Sequence, residues 1–259
     1  MRKNTAIGMR RHMKHFKHFV FVALIAFILI ARYNPAVGEW YATSLYPVIS
    51  TILSFAICWN PFSLEEIFVL GASALATGIL VQGFRKREKW HKVLLKEAKL
   101  LVWTVIWFYM GWGVNYFREN IYERTAVGKQ KYNETVFREF LKDYAENLNA
   151  SFTDSAAVLS VEDFSEDIKK RYLEVPKEMG LCAPRKWQQP KNLLFNKLYS
   201  AVGVMGYMGP FFNEIQLNKE LLPAQLPFCY AHELSHQLGV SNEDEANFWA
   251  YQICRNSEI

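Results

Sequence analysis

Two histidines four residues apart, with a glutamate directly after the first, stand in the stretch CYAHELSHQLGVSNEDEANFWAYQIC, from Cys229 to Cys254. On a helix His232 and His236 lie one turn apart on the same face, so both imidazoles reach one tetrahedral metal ion. Glu233, next to the first histidine, points close enough to take a proton from a water at the metal without being a ligand. This is the H-E-x-x-H arrangement of zinc hydrolases. The chain has six histidines, and the other four all precede residue 92.

A zinc hydrolase needs a third protein ligand, and the residues after the motif offer a choice. Gly239 can take the left-handed conformation that ends a helix, and Ser241 is expected to cap a second one, with Asp244 at the capping-box position. The order H-E-x-x-H-x-x-G is reminiscent of metzincins, but Asn242 stands where their third histidine would be, and an amide oxygen is a poor zinc ligand. The element Glu243-x-x-Ala246-Asn247 resembles the E-x-x-A-D element of gluzincins, which include the thermolysin-like, neprilysin-like and prenyl-protein peptidases. That resemblance implies Glu243 as the third ligand and Asn247 as the partner that orients a ligand histidine through its side-chain oxygen. Here Asn replaces Asp, and the link from His236 is short for a gluzincin. Glu245, on a different face, therefore stays open as the alternative ligand. The cofactor so implied is Zn2+.

Just before the motif helix, YSAVGVMGYMGPFFNEIQLN (Tyr199–Asn218) is rich in Gly, Val and aromatic residues and alternates across Phe212, Glu214 and Gln216, which predicts a hairpin. Gluzincins and metzincins place an edge strand there, and such a strand holds an extended peptide through main-chain bonds. Gly209, Phe211, Phe212 and Asn213 are the candidate substrate-binding residues. No residue announces itself as oxyanion stabiliser; Tyr207, Tyr230 and Tyr251 are the possibilities. Cys229 and Cys254 are expected to lie near each other, either bonded or as free buried thiols.

The elements that must position these residues fall into two halves. Residues 118–259 have mixed charge, with helix-period apolar positions at Val136, Phe140, Tyr144 and Leu148 and a capping-box-like start at Ser160 and Asp163. Residues 1–117 are long apolar runs separated by basic clusters, with Lys and Arg crowding residues 2–17 and Arg85–Lys99 and none in Tyr33–Glu66. The positive-inside rule then predicts three transmembrane helices, near residues 16–34, 66–84 and 99–115, and an outer-leaflet helix near 43–59. The small residues from Gly71 to Gly78 suit close helix packing in lipid. The N-terminus falls inside and residues 118–259 outside a cytoplasmic (inner) membrane. The net charge of +5 comes largely from the membrane-flanking clusters, so it gives no reason to expect nucleic acid as a partner. No C-x-x-C occurs, and four irregularly spaced cysteines make no disulfide scaffold.

The stretches YNPAVGEWYA, LYPVIS, WGVNYFREN, GYMGPFFNEIQLN and HELSHQLGVSNEDEAN together resemble a family of bacterial membrane proteins classed as a domain of unknown function. The resemblance covers essentially the whole chain and implies a topology and a metal site rather than a substrate. The expected fold is α+β and mostly helical, with N-terminal transmembrane helices followed by a zincin-like metallopeptidase domain. The expected activity is zinc-dependent hydrolysis of a peptide or protein substrate. The alternative is a catalytically silent metal-binding membrane receptor or scaffold.

Overall fold

The computed structural model describes residues 2–152 and 160–257, with side chains from His15 onward, so the first basic side chains lie outside the described residues. Helix α1 (Arg2–Tyr33) stops at Asn34, whose side chain accepts the Ala36 N–H and caps α2 (Pro35–Trp40), with proline in the first turn where no N–H is needed. From α2 the chain continues through a π-helical turn, Tyr41–Leu45, into α3 (Tyr46–Ile57). Ser63 then caps α4 (Leu64–Arg85), and a turn through Arg87 leads into α5 (Trp90–Gly111).

Among the described residues three helical segments are long and apolar enough to cross a membrane: His15–Tyr33, Pro35–Ile57 and Leu64–Arg85. This set differs from the sequence expectation in two places. The segment expected as the third span falls on α5, whose first half carries Lys92, Lys96, Glu97 and Lys99, leaving an uncharged run only from Leu100 to Gly111. The segment expected near residues 43–59 belongs to a longer helical stretch that meets the length and composition of a span, yet one face of it is bonded to the C-terminal half turn by turn. Tyr46 donates to the Gln237 carbonyl at 2.7 Å, Ser50 to Asn213 Oδ1 at 2.7 Å, and Trp187 to Ser54 at 3.1 Å. Lys191 reaches the Ile57 carbonyl at 3.2 Å. The opposite face leaves Val48, Ile52 and Phe55 exposed. We call Pro35–Ile57 the brace. The glycines of α4 are placed unequally: among the described residues nothing outside the helix's own backbone lies within 4 Å of a Cβ placed at Gly71 or Gly78, whereas Gly83 is pressed against Val93 of α5.

After α5 a 3-10 turn (Gly113–Phe117) leads to α6 (Ile121–Thr125), the amphipathic α7 (Glu134–Ala150) and α8 (Val161–Glu174), which Ser160 caps as the sequence indicates. A loop then gives β1 (Lys191–Asn192), α9 (Asn196–Ala201), β2 (Gly206–Gly209) and β3 (Glu214–Leu217), followed by α10 (Leu226–Gln237) and α11 (Glu243–Arg255). The three strands form one sheet in the order β1-β3-β2, with β2 antiparallel to β3 in the register Tyr207 to Gln216, so β2 is an edge strand.

One cluster of buried side chains runs through both halves of the chain. Ala31, Tyr41, Tyr46, Trp112 and Val114 pack in it with Phe164, Ile168, Tyr230, Leu234 and Trp249. The N-terminal half therefore forms part of the core on which the motif helix sits.

Candidate metal centre

Helix α10 carries the motif, and its last turn is fastened by side chains from far away in sequence. A helix end leaves carbonyls without intrahelical partners. Here Trp112 Nε1 donates to the His236 carbonyl at 2.8 Å, Tyr46 to Gln237 and Arg118 to Gly239 at 3.0 Å. Arg118 is itself anchored by Glu39 at 2.7 Å and the Gly180 carbonyl at 2.8 Å. Gly239 takes φ +100°, the positive value expected of it, and reverses the chain toward α11. The cap of α11 is Asn242, which accepts the Glu245 N–H at 3.0 Å, and not Ser241; the Ser241 hydroxyl bonds the Asn115 carbonyl at 2.9 Å instead. Capping from Asn242 starts α11 at Glu243 and aims that side chain back at α10.

His232, His236 and Glu243 converge, with one ligand atom from each lying within 4.8 Å of the others. The two Nε2 atoms are 3.1 Å apart, His232 Nε2 is 3.2 Å from Glu243 Oε2, and His236 Nε2 is 3.5 Å from Glu243 Oε1. Tetrahedral ligands at zinc bond lengths stand about 3.3 Å from one another. The other ring nitrogens fix the tautomers. His236 Nδ1 faces the Val240 carbonyl at 2.8 Å, a group that only accepts, so that nitrogen carries the hydrogen. His232 Nδ1 faces Asn247 Oδ1 at 3.0 Å in the same sense. Both Nε2 atoms thus present lone pairs to each other and to the Glu243 carboxylate. Burial, then the neighbouring His236, lowers the pKa of His232 and keeps its ring neutral, the form that binds a metal.

Glu245 lies elsewhere. It forms a buried ion pair with Arg124 and accepts the Trp249 indole N–H at 3.2 Å, and its side chain is 5% exposed against 74% for Glu243. The alternative third ligand is corrected on this ground: Glu245 ties α11 to α6 and does not face the histidines.

Glu233 is buried beside the cluster, and desolvation pushes its carboxyl up to about 8, with the charge of Glu243 adding to the shift and a bond from the Met208 N–H opposing it. A cavity of about 440 Å³ opens over these residues. Gly206 and Met208 of edge strand β2 line it, as do Phe108, Trp112 and Tyr116. A Cβ on Gly206 would lie 3.0 Å from Cys229 Sγ and 2.8 Å from the Gln216 carbonyl, so glycine lets β2 sit close against α10.

The expected substrate residues are placed differently. Gly209, Phe211, Phe212 and Asn213 form the hairpin tip, which is docked on the N-terminal helices. Phe211 and Phe212 pack on Phe68, Trp107 donates to the Phe211 carbonyl at 2.8 Å, and Glu65 accepts the Phe211 N–H at 3.1 Å. Asn213, at φ +58°, is buried among Tyr46, Ser50 and Gln237. The residues of this stretch that line the cavity are Gly203 to Met208, just before them, and Pro210.

Of the three tyrosines named from sequence, Tyr207 lines the cavity and Tyr230 and Tyr251 do not. Tyr230 is fully buried, Tyr251 packs on Tyr144, and Tyr207 is engaged with Ser63 and Tyr199. Tyr116, which the sequence reading missed, lines the cavity near Glu243; nothing in its local sequence marks it, because it arrives from the 3-10 turn that follows α5. All four cysteines are free, and burial pushes the Cys229 thiol up to about 12 and that of Cys254 up to about 11.

Comparison with curated proteins and with solved structures gives no match. A family profile does match, over residues 41–259, a span that runs from the brace to the C-terminus and takes in every residue of the centre. The chain belongs to the family described as protein of unknown function (DUF3810).

Proposed function

We propose that this protein is a membrane-anchored, zinc-dependent metallopeptidase acting on peptide bonds outside the cytoplasm. The observation that carries the reading is the convergence of two bare imidazole nitrogens and a carboxylate at near-tetrahedral spacing, with Glu233 beside them and an edge strand across the cavity. The donor set suits zinc, which would supply Lewis acidity toward a carbonyl and acidify a water. His232, His236 and Glu243 hold the ion, and Asn247 and the Val240 carbonyl fix the two rings. Glu233 takes the proton of the attacking water and returns it to the leaving amine. A carboxyl with a raised pKa is suited to both halves of that transfer.

The same proposal sets the orientation. Helices α1, α4 and α5 run between the centre and the basic residues Arg85–Lys99, which stay in the cytoplasm. The brace lies at the outer leaflet with Val48, Ile52 and Phe55 toward lipid.

The test is metal content per chain of the purified protein, alongside His236→Ala, Glu243→Ala and Glu245→Ala, with peptide hydrolysis measured for wild type and Glu233→Gln. The expected result is near-stoichiometric zinc, lost with His236 and Glu243 and kept with Glu245, and hydrolysis lost with Glu233 while zinc stays. A folded wild type without bound metal would sink the reading. Bound metal with no hydrolysis would instead favour a binding role.

A further inference from the structure

The two sides of the cavity differ in what lies behind them. Behind β2 is the small sheet. Phe108 belongs to α5 and Trp112 caps it, and the preceding turns of that helix leave Leu101 and Val105 exposed. On a helix Leu101 and Val105, seven and three residues before Phe108, share its side, and they stand about 10 Å and about 5 Å from it along the axis. The cavity wall therefore continues into the apolar side of α5, which the orientation proposed above turns toward lipid. The cavity rim repeats that character in Met205 and Phe228, both partly exposed.

The free edge of β2 fixes how a chain can enter. The Asn218 N–H bonds the Met205 carbonyl at 2.9 Å, and in an antiparallel ladder the partners alternate. Tyr207 thus faces β3, while the main-chain groups of Gly206 and Met208 point outward over the cavity, where the Met208 N–H meets Glu233. An extended polypeptide on this edge passes between β2 and the aromatic wall of α5.

From these features we infer that the substrate is the extended segment of a membrane-anchored polypeptide immediately beside its anchor, with aliphatic or aromatic side chains next to the bond that is cut. The inference rests on the peptidase reading of the centre. Its own ground is the continuity of the cavity wall with the lipid-facing surface of α5. A chain tethered in the same bilayer reaches this cleft at high effective concentration, provided its scissile bond lies close to the surface. A bond far out on a long tether gains much less.

The experiment uses the full chain in phosphatidylcholine vesicles with zinc and an apolar, internally quenched peptide in three forms. One is free in solution. One follows a single apolar membrane helix after about 6 residues, a reach of about 20 Å, and one after about 25 residues, about 85 Å. Hydrolysis is followed with wild type, and binding of the same peptides with Glu233→Gln. The expected result is that the short-tether form is cut and bound at least tenfold better than the other two. Equal cutting of all forms, or a preference for the long tether, overturns the inference and leaves the peptidase reading intact. Preferential binding of the short-tether form without any hydrolysis upholds the cleft's choice of partner and overturns the peptidase reading alone. Neither binding nor hydrolysis of any form overturns both.

Discussion

Replacing Tyr46 by phenylalanine removes one oxygen atom from the middle of the brace. That hydroxyl donates to the Gln237 carbonyl at the end of α10 and accepts from Asn213 Nδ2, both at 2.7 Å, and the residue has no exposed surface. Without it two buried polar groups lose a partner, at about 1–3 kcal/mol each. Relaxation recovers part of this, so the expected loss is roughly 3 kcal/mol, and in a chain of this size that lowers Tm by about 6–12 °C. The assay is thermal unfolding of the purified protein followed by tryptophan fluorescence, with Ile52→Ala, on the outward face of the same helix, as the reference. An exposed substitution of that kind costs within about 0.5 kcal/mol. If Tyr46→Phe is no worse than Ile52→Ala, the brace is not docked on the C-terminal half and the reasoning fails; a membrane-crossing position for Pro35–Ile57 would then be favoured.

Two further predictions concern single side chains. Asn247→Ala removes the acceptor that holds His232 Nδ1 at 3.0 Å, and zinc affinity is expected to fall about 10–100-fold in a competition titration with a chelator, with the fold unchanged. Lys169 is buried in α8 with the Lys186 carbonyl at 3.3 Å, and desolvation depresses its pKa to about 8 against the ordinary 10.5, nearby Glu166 opposing the shift. Below pH 8 the charge is carried in both states and the burial penalty is felt in full. Between 8 and 10.5 the folded chain has already shed the proton that the unfolded chain keeps, so stability rises with pH across that window. Lys169→Met is expected to be more stable than wild type at pH 7 and to lose that rise, read as the difference in Tm between the two proteins from pH 7 to 10.

What could be read from sequence was whatever depends on neighbours in the chain. The spacing of His232 and His236 puts them on one helical face whatever surrounds them, and Ser160 caps α8 because the cap bond is local. The choice between Glu243 and Glu245 was not local. Both sit in the first turn of α11, and which one meets the histidines depends on where that helix starts and how it leaves Gly239. Those are set by Arg118, Asn115 and Arg124, more than a hundred residues earlier. The hairpin was legible as a hairpin, but its aromatic tip looked like a binding element because nothing nearby reveals that Phe68 and Trp107 cover it. Likewise, charge counting along α5 and the brace says where lipid is tolerated, not which face another part of the same chain takes.

The three donors that close the end of α10 come from the brace, from the end of α5 and from the first residue after the 3-10 turn. A chain cut to begin at residue 118 would keep both histidines, both glutamates and the whole sheet, and would still lose two of those three donors. The apolar helices and the part that carries the motif are for that reason not interchangeable. A soluble version made by trimming would leave the His236 and Gln237 carbonyls open to water and the motif helix free to fray at the end that carries His236. Grafting a different anchor would do the same unless it brought its own tryptophan and tyrosine to those two positions.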